Sequence, residues 1–121
     1  MAGNAWVPDR RDMIWIDCNP QAGREMRDFH PLLVLSPQAF NQKTGIVIGL
    51  PMTTASYNET NPFAVKVTGA NGEAVFILAH QPKSFDWRAR GAKPHPWRRI
   101  EPAMFDQACE TLNQIIVLGN T

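Results

Sequence analysis

With 121 residues, of which 44% are hydrophobic and 19% charged, the chain has the size and composition of one globular domain spanning residues 1–121. A formal net charge of +1, the absence of any apolar run near the roughly 20 residues that cross a bilayer, and an N-terminus unlike a signal peptide together argue against a disordered, membrane or secreted protein. Cys18 and Cys109 are therefore expected to be reduced thiols in a soluble cytoplasmic protein whose core needs neither disulfide nor structural metal.

Taken in chain order, Met1 to Arg11 reads as a loose polar arm. Asp12 to Cys18 is rich in β-branched and aromatic residues and predicts a first strand, closed by Asn19-Pro20. A charged loop, Pro20 to Phe29, then delivers His30 to the mouth of a second strand, Leu32 to Leu35, whose consecutive apolar residues mark it as buried. Ser36-Pro37 suits the cap and first position of a short helix through Asn41. Ile46 to Leu50 forms a third strand, followed by a long polar loop from Met52 to Asn61. Phe63–Thr68 and Ala74–Ala79, joined by Gly69-Ala70-Asn71-Gly72, read as a hairpin ending at His80. Ser84 to Ile100 is extended, because Gly91, Pro94 and Pro96 deny it a helix. Pro102 opens the one long helix, with Phe105, Ala108, Leu112 and Ile115 on one face and Gly119 as its stop. Six short strands and a terminal helix predict a mainly β, compact small barrel.

Charge is unevenly spread along this plan. Lys83, Arg88, Arg90, Lys93, Arg98 and Arg99 face a single acid, Asp86, within Lys83–Arg99, whereas Ile100 onward carries Glu101, Asp106 and Glu110 with no base. The first of these segments is suited to phosphates and the second repels them. Scattered Cys and His residues lack zinc-ligand spacing, and no Gly-rich phosphate loop, Gly-x-Ser-x-Gly elbow or His-Glu-x-x-His motif occurs, so neither metal nor cofactor is expected. His30 and His80 both stand where an apolar strand meets polar chain. A lone histidine there usually makes only a structural hydrogen bond. Two, however, are able to serve as base and acid on one phosphodiester at neutral pH, without a metal.

The order Asp12-Met13-Ile14-Trp15-Ile16-Asp17, Asn19-Pro20, Gly23, Glu25, Pro31, Leu35-Ser36-Pro37, Phe40-Asn41, Thr44-Gly45, Pro51-Met52-Thr53-Thr54, Pro62-Phe63, His80-Gln81-Pro82-Lys83-Ser84 and Trp87-Arg88-Ala89-Arg90-Gly91-Ala92 resembles the MazF/PemK toxins over nearly the whole chain. The resemblance implies an SH3-like barrel of the MazF/CcdB type with a C-terminal helix, and a homodimer. It also implies a metal-independent, sequence-specific endoribonuclease that cleaves single-stranded RNA to 2′,3′-cyclic phosphate and 5′-hydroxyl ends and so arrests translation and growth. The implied partner is a cognate MazE-like antitoxin. Thr53 and Glu25 match the family's site, whereas His30 replaces its usual Arg and His80 its usual Asp.

From these matches and departures, His30 and His80 are expected to form the acid/base pair, with Glu25 nearby and Thr53 donating a hydrogen bond to the scissile phosphate. Arg24, Arg27 and Lys83 are expected to supply the positive charge of the missing Arg, with Arg88 of the basic segment also binding RNA. Phe29 and Tyr57 are the expected stacking platforms for unpaired bases, and Trp87 is assigned to the core rather than to RNA. Two alternatives remain on sequence grounds: a catalytically silent nucleic-acid-binding module, and a gyrase-poisoning toxin of the CcdB kind. The latter typically closes its last helix with Trp-Gly, where this chain ends Leu118-Gly119-Asn120-Thr121.

Overall fold

The computed structural model describes residues 5–18, 29–69 and 71–119. Arg24, Glu25 and Arg27 lie outside the described residues. The described residues form seven strands: β1 (Asp12–Asp17), β2 (Phe29–Val34), β3 (Ile46–Thr53), β4 (Ala64–Thr68), β5 (Ala74–Leu78), β6 (Lys83–Asp86) and β7 (Lys93–Arg99). Helix α1 (Gln38–Thr44) links β2 to β3, a 3-10 helix (Ser56–Thr60) follows β3, and α2 (Pro102–Ile115) ends the fold. All pairings are antiparallel, in the order β4-β5-β3-β2-β1-β7, and β6 joins the N-terminal half of β3. The result is a half-barrel of antiparallel strands backed by a C-terminal helix.

Strand β3 is the spine of this arrangement. One of its edges pairs with β2 through Gly49, Leu50 and Pro51. Its other edge is divided: Ile46 to Gly49 pair with β6, and Met52 and Thr53 pair with β5. The strand reaches this close pairing because Gly49 has no side chain. A Cβ there would sit 2.4 Å from the Leu33 carbonyl oxygen and 2.9 Å from Leu32 Cγ.

Leu32, Leu33 and Val34 of β2 are buried on both faces of the sheet, which is why this part of the strand is continuously apolar rather than alternating. Met13, Leu33, Leu50, Met52, Val65 and Ile77 form one cluster, closed by Phe105 and Ala108 of α2. Ile14, Ile16, Leu32, Val34, Val47 and Trp87 form a second on the other side. Trp87 thus belongs to the core, 6% exposed.

A buried polar hub joins the second cluster to the N-terminal arm. The fully buried Asn41 donates from its amide to the Pro8 (2.8 Å) and Ser36 (3.0 Å) carbonyls, and its backbone carbonyl accepts the Trp87 indole N–H at 2.8 Å. The Ser36 hydroxyl donates to Asn41 Oδ1 and accepts the Ile48 N–H at 2.9 Å. These bonds correct two expectations. Ser36 does not cap α1, because its hydroxyl is engaged in the hub, and Pro37 holds the cap position without a side-chain bond. The described part of the N-terminal arm is not loose either: Pro8 is buried and Trp6 packs edge-on against Trp87, their ring centroids 6.1 Å apart.

The segment expected as a single extended stretch divides into β6 and β7, because a turn across 87–91 ends with Gly91 at φ +64°. Six strands were expected and seven form. Helix α2 begins at Pro102 as expected but stops at Ile115, before Gly119. Replacing Gly49 with alanine must push β3 away from the β2 backbone, and should cost about 1–3 kcal/mol of stability in chemical denaturation, with the unfolding cooperativity retained.

Candidate active site

Between the C-terminal end of β3, the start of β2 and the middle of β7 lies a cleft of about 360 Å³. His30 and Phe29 enter it from β2, Thr53 from the end of β3, Thr54 from just beyond it, and His95 and Trp97 from β7. Trp15 of β1, and Glu73 and Val75 of the β4–β5 hairpin, complete its walls. The β2–β3 register runs through Leu32↔Pro51, and carrying it two residues further sets His30 beside Thr53. Sequence positions 23 residues apart are thereby placed at one site.

Each side chain arrives already oriented. The Thr53 hydroxyl oxygen accepts the Ala55 N–H at 3.2 Å, which leaves its hydrogen available to donate outward. His30 is exposed at the mouth of the cleft. His95 is half-buried between two tryptophans: the Trp15 ring lies 4.7 Å away at 34°, and the Trp97 ring 5.4 Å away, nearly perpendicular at 75°. The Trp97 backbone N–H donates to His95 Nδ1 at 3.0 Å. Burial also holds the His95 imidazole below its ordinary value of 6.5.

Phe29 stands beside this group, with the Lys93 ammonium 5.4 Å from its ring centroid. Trp15, Phe29 and Lys93 border a shallow adjoining pocket. Lys93 is thus the basic residue that the β7 fold brings to the cleft. Three arginines of the basic segment are engaged elsewhere. Arg99 pairs with Asp12 at 3.2 Å, Arg90 donates to the Asp17 carbonyl at 3.2 Å, and Arg88 lies over the Trp87 ring at 4.3 Å beside α1. The Asp12 carboxyl is pushed up by burial, against the pull of the Asp9 N–H and Arg99.

His80, Lys83 and Tyr57 are not brought into this cleft. His80 lies in the turn between β5 and β6, its ring 6.0 Å from that of Phe63, with a buried Nδ1 that has no hydrogen-bond partner among the described residues. Lys83, just beyond, pairs with Gly49. That level is four residues back along β3 from Thr53, or about 13 Å at the roughly 3.3 Å rise of a strand residue. Tyr57 projects into solvent from the 3-10 helix, 78% exposed, and Arg88 faces α1. Among the described residues no group of three or more His, Cys, Asp or Glu side chains is placed to hold a metal ion.

The fold and the order of these residues have counterparts among known proteins. Residues 9–116 match the family described as PemK-like, MazF-like toxin of type II toxin-antitoxin system. The chain belongs to this family. It is 45% identical over 87 residues to the endoribonuclease toxin MazF of Escherichia coli (strain K12), covering 72% of this chain and 76% of that protein. It is 33% identical over 86 residues to the Escherichia coli endoribonuclease PemK, covering 69% and 65%. The crystal structure of MazF from Deinococcus radiodurans matches with a TM-score of 0.79 at 30% identity, covering 94% of this chain and 100% of that one. A MazE–MazF structure from the same organism matches with a TM-score of 0.78 at 25% identity, covering 95% and 100%.

In this MazF-like toxin the sequence reading missed Trp15, Glu73, Lys93, His95 and Trp97 as cleft residues. A signal for three of them was present. In an extended segment Lys93, His95 and Trp97 alternate with Pro94 and Pro96 and so share one face. Glu73 carries no such mark, because only the β4–β5 hairpin places it. Among the described residues no helix is long and apolar enough to cross a membrane.

The His95 environment predicts a pH effect of definite sign. A histidine whose folded value is depressed binds its proton more readily in the unfolded chain, so its contribution is intact above the unfolded value near 6.5 and is lost as pH falls through the window below it. Thermal unfolding of the wild type compared with His95→Gln should show the wild type losing more stability on acidification below about 6.5. Parallel curves for the two proteins would contradict the buried, neutral state.

Proposed function

We infer that this chain is a metal-independent endoribonuclease toxin of a type II toxin-antitoxin system, cleaving single-stranded RNA in the cytoplasm and restrained by a cognate MazE-like antitoxin. The observation that carries the reading is the meeting of His30 and Thr53 at one cleft whose walls are aromatic and whose rim bears Lys93. An open cleft lined with Trp15 and Phe29 suits unpaired bases, which stack at about 1–3 kcal/mol each, and a duplex would offer no free base faces.

The reaction divides among a few groups. A base removes the proton from a ribose 2′-hydroxyl, the resulting alkoxide attacks the adjacent phosphorus, and an acid protonates the departing 5′-oxygen. The products are a 2′,3′-cyclic phosphate and a 5′-hydroxyl. His30, exposed at the mouth of the cleft, is one partner of this exchange. The second partner in our reading is Glu25, the loop carboxylate five positions before it, rather than His80, which the fold holds in the β5–β6 turn. The Thr53 hydroxyl donates to a non-bridging phosphate oxygen, where negative charge accumulates. Lys93, with Arg24 and Arg27 of the preceding loop, offsets that charge.

Two copies of the chain are proposed to form the working toxin. The exposed apolar run Ile115, Ile116, Val117 and Leu118 at the end of the fold is consistent with a surface covered in an assembly. Light scattering of the purified protein reports its mass directly.

The decisive test is incubation of purified protein with mixed single-stranded RNA in EDTA. Fragments with cyclic-phosphate and 5′-hydroxyl ends are expected. Intact RNA retained on the protein would instead identify a silent binder, and neither outcome with inhibition of gyrase would identify the CcdB-like activity. His30→Ala and Glu25→Gln should each lower the cleavage rate at least about 100-fold, and His80→Ala should leave it within a few-fold. A 100-fold loss in His80→Ala with an active Glu25→Gln would restore the two-histidine mechanism. Lys93→Ala should weaken RNA binding for all sequences and lower the slope of log K against log salt by about 0.7, the contribution of one phosphate contact on a single strand.

A further inference from the structure

The β7 wall of the cleft carries a feature that the cleavage chemistry does not use. His95 is held on three sides: by the Trp15 ring, by the Trp97 ring, and by the Trp97 backbone N–H that donates to its Nδ1 at 3.0 Å. Trp97 is itself immobilised. A Cβ at Gly69, at the end of β4, would fall 2.1 Å from Trp97 Cζ2, so the indole occupies the space that any other residue at position 69 would need.

This bracing determines which hydrogen the imidazole carries. Because Nδ1 accepts a hydrogen bond, the neutral ring must bear its hydrogen on Nε2. Burial reinforces that state by disfavouring the imidazolium. Nε2 makes no hydrogen bond among the described residues, so a fixed donor stands in the cleft wall.

The chemistry of the surrounding wall indicates what that donor meets. Trp15, Phe29, Pro31, Met52 and Val75 give the cleft an apolar lining, and Glu73 contributes a carboxylate. A phosphate is poorly served there, next to a neutral histidine and an acid. A nucleobase is well served, since it offers a flat face to the aromatic side chains and carbonyl or ring-nitrogen acceptors at its edge.

We propose that His95 is a specificity-determining residue of the RNA cleft, presenting its Nε2–H to an acceptor on the edge of one unpaired base next to the scissile phosphate. The inference rests on the endoribonuclease reading and deepens it. His30 and Thr53 act on the phosphate, and His95 selects which nucleotide is seated there. The three histidines of the chain therefore have distinct settings: His30 at the mouth of the cleft, His95 in its wall, and His80 outside it.

The test is cleavage of a single-stranded RNA pool with randomised sequence, mapping the cut sites for wild type, His95→Ala and His95→Phe. The phenylalanine variant keeps a ring between Trp15 and Trp97 and so preserves packing if the alanine variant fails to fold. The expected result is a wild-type preference at one base position that both variants relax, with the rate at the preferred site falling roughly three- to tenfold, the worth of one neutral hydrogen bond. An unchanged cut-site preference in folded His95→Phe overturns the proposal. So does a loss of 100-fold or more at every site with the preference intact, which would place His95 in the chemistry. If the wild type cuts no RNA, the endoribonuclease reading itself falls, whereas a cutting wild type with an indifferent His95→Phe removes only the role given to His95.

Discussion

Everything in this fold depends on one strand satisfying three partners at once. β3 gives one edge to β2 and divides the other between β5 and β6, so a single eight-residue segment is hydrogen-bonded into both parts of the half-barrel. The constraint is steric before it is energetic. At Gly49 the β2 backbone comes so near that no side chain fits, and Gly49 is also the residue opposite Lys83 of β6. The two apolar clusters follow from this geometry, because Val47, Leu50 and Met52 of β3 are buried against the layers packed on the sheet.

The same strand sets the site. Its C-terminal end carries Thr53 to the start of β2, where His30 stands, and its N-terminal end carries β6, and with it Lys83, in the opposite direction. Two histidines that look equivalent in sequence, each at the junction of an apolar strand and polar chain, therefore fall on different edges of β3, and only His30 lines the cleft. His95 arrives by another route. β7 pairs with β1 across a register shift between Asp12 and Ile14, and Trp15 of β1 receives the His95 ring from β7. His30 stands at the start of β2, in a cleft walled by Trp15, Phe29 and Trp97.

Much of the architecture was legible because hydrophobic pattern and turn chemistry agree with it. The apolar run of β2, the β4–β5 hairpin and the periodic face of α2 all form as their residues predict, Pro102 opens the helix, and Trp87 is core. What was not legible depends on contacts distant in sequence. Ser36 has the chemistry of a helix cap, but Asn41 and Ile48 claim its hydroxyl. The basic segment has the charge to bind phosphate, yet Arg99 is used by Asp12 and Arg90 by the Asp17 carbonyl. The extended stretch before α2 hides a turn that splits it in two. In the candidate site, Thr53 and Phe29 were found from sequence and Trp15, Glu73, Lys93, His95 and Trp97 were not, since cross-strand register, which local pattern does not encode, decides which side chains share a wall.

The Asn41 hub has a consequence for the order in which the molecule assembles. Its amide holds the Pro8 carbonyl and its own carbonyl is held by the Trp87 indole, so the N-terminal arm and the segment after β6 close on the same buried residue from widely separated parts of the chain. Such contacts span long sequence separations and must wait for the loops between them to be ordered. During synthesis the arm has no finished surface to dock on until Trp87 has left the ribosome, and by then β1 to β6 have all been made. For a protein that acts on RNA, this delays the completed fold until translation of its own message is well advanced.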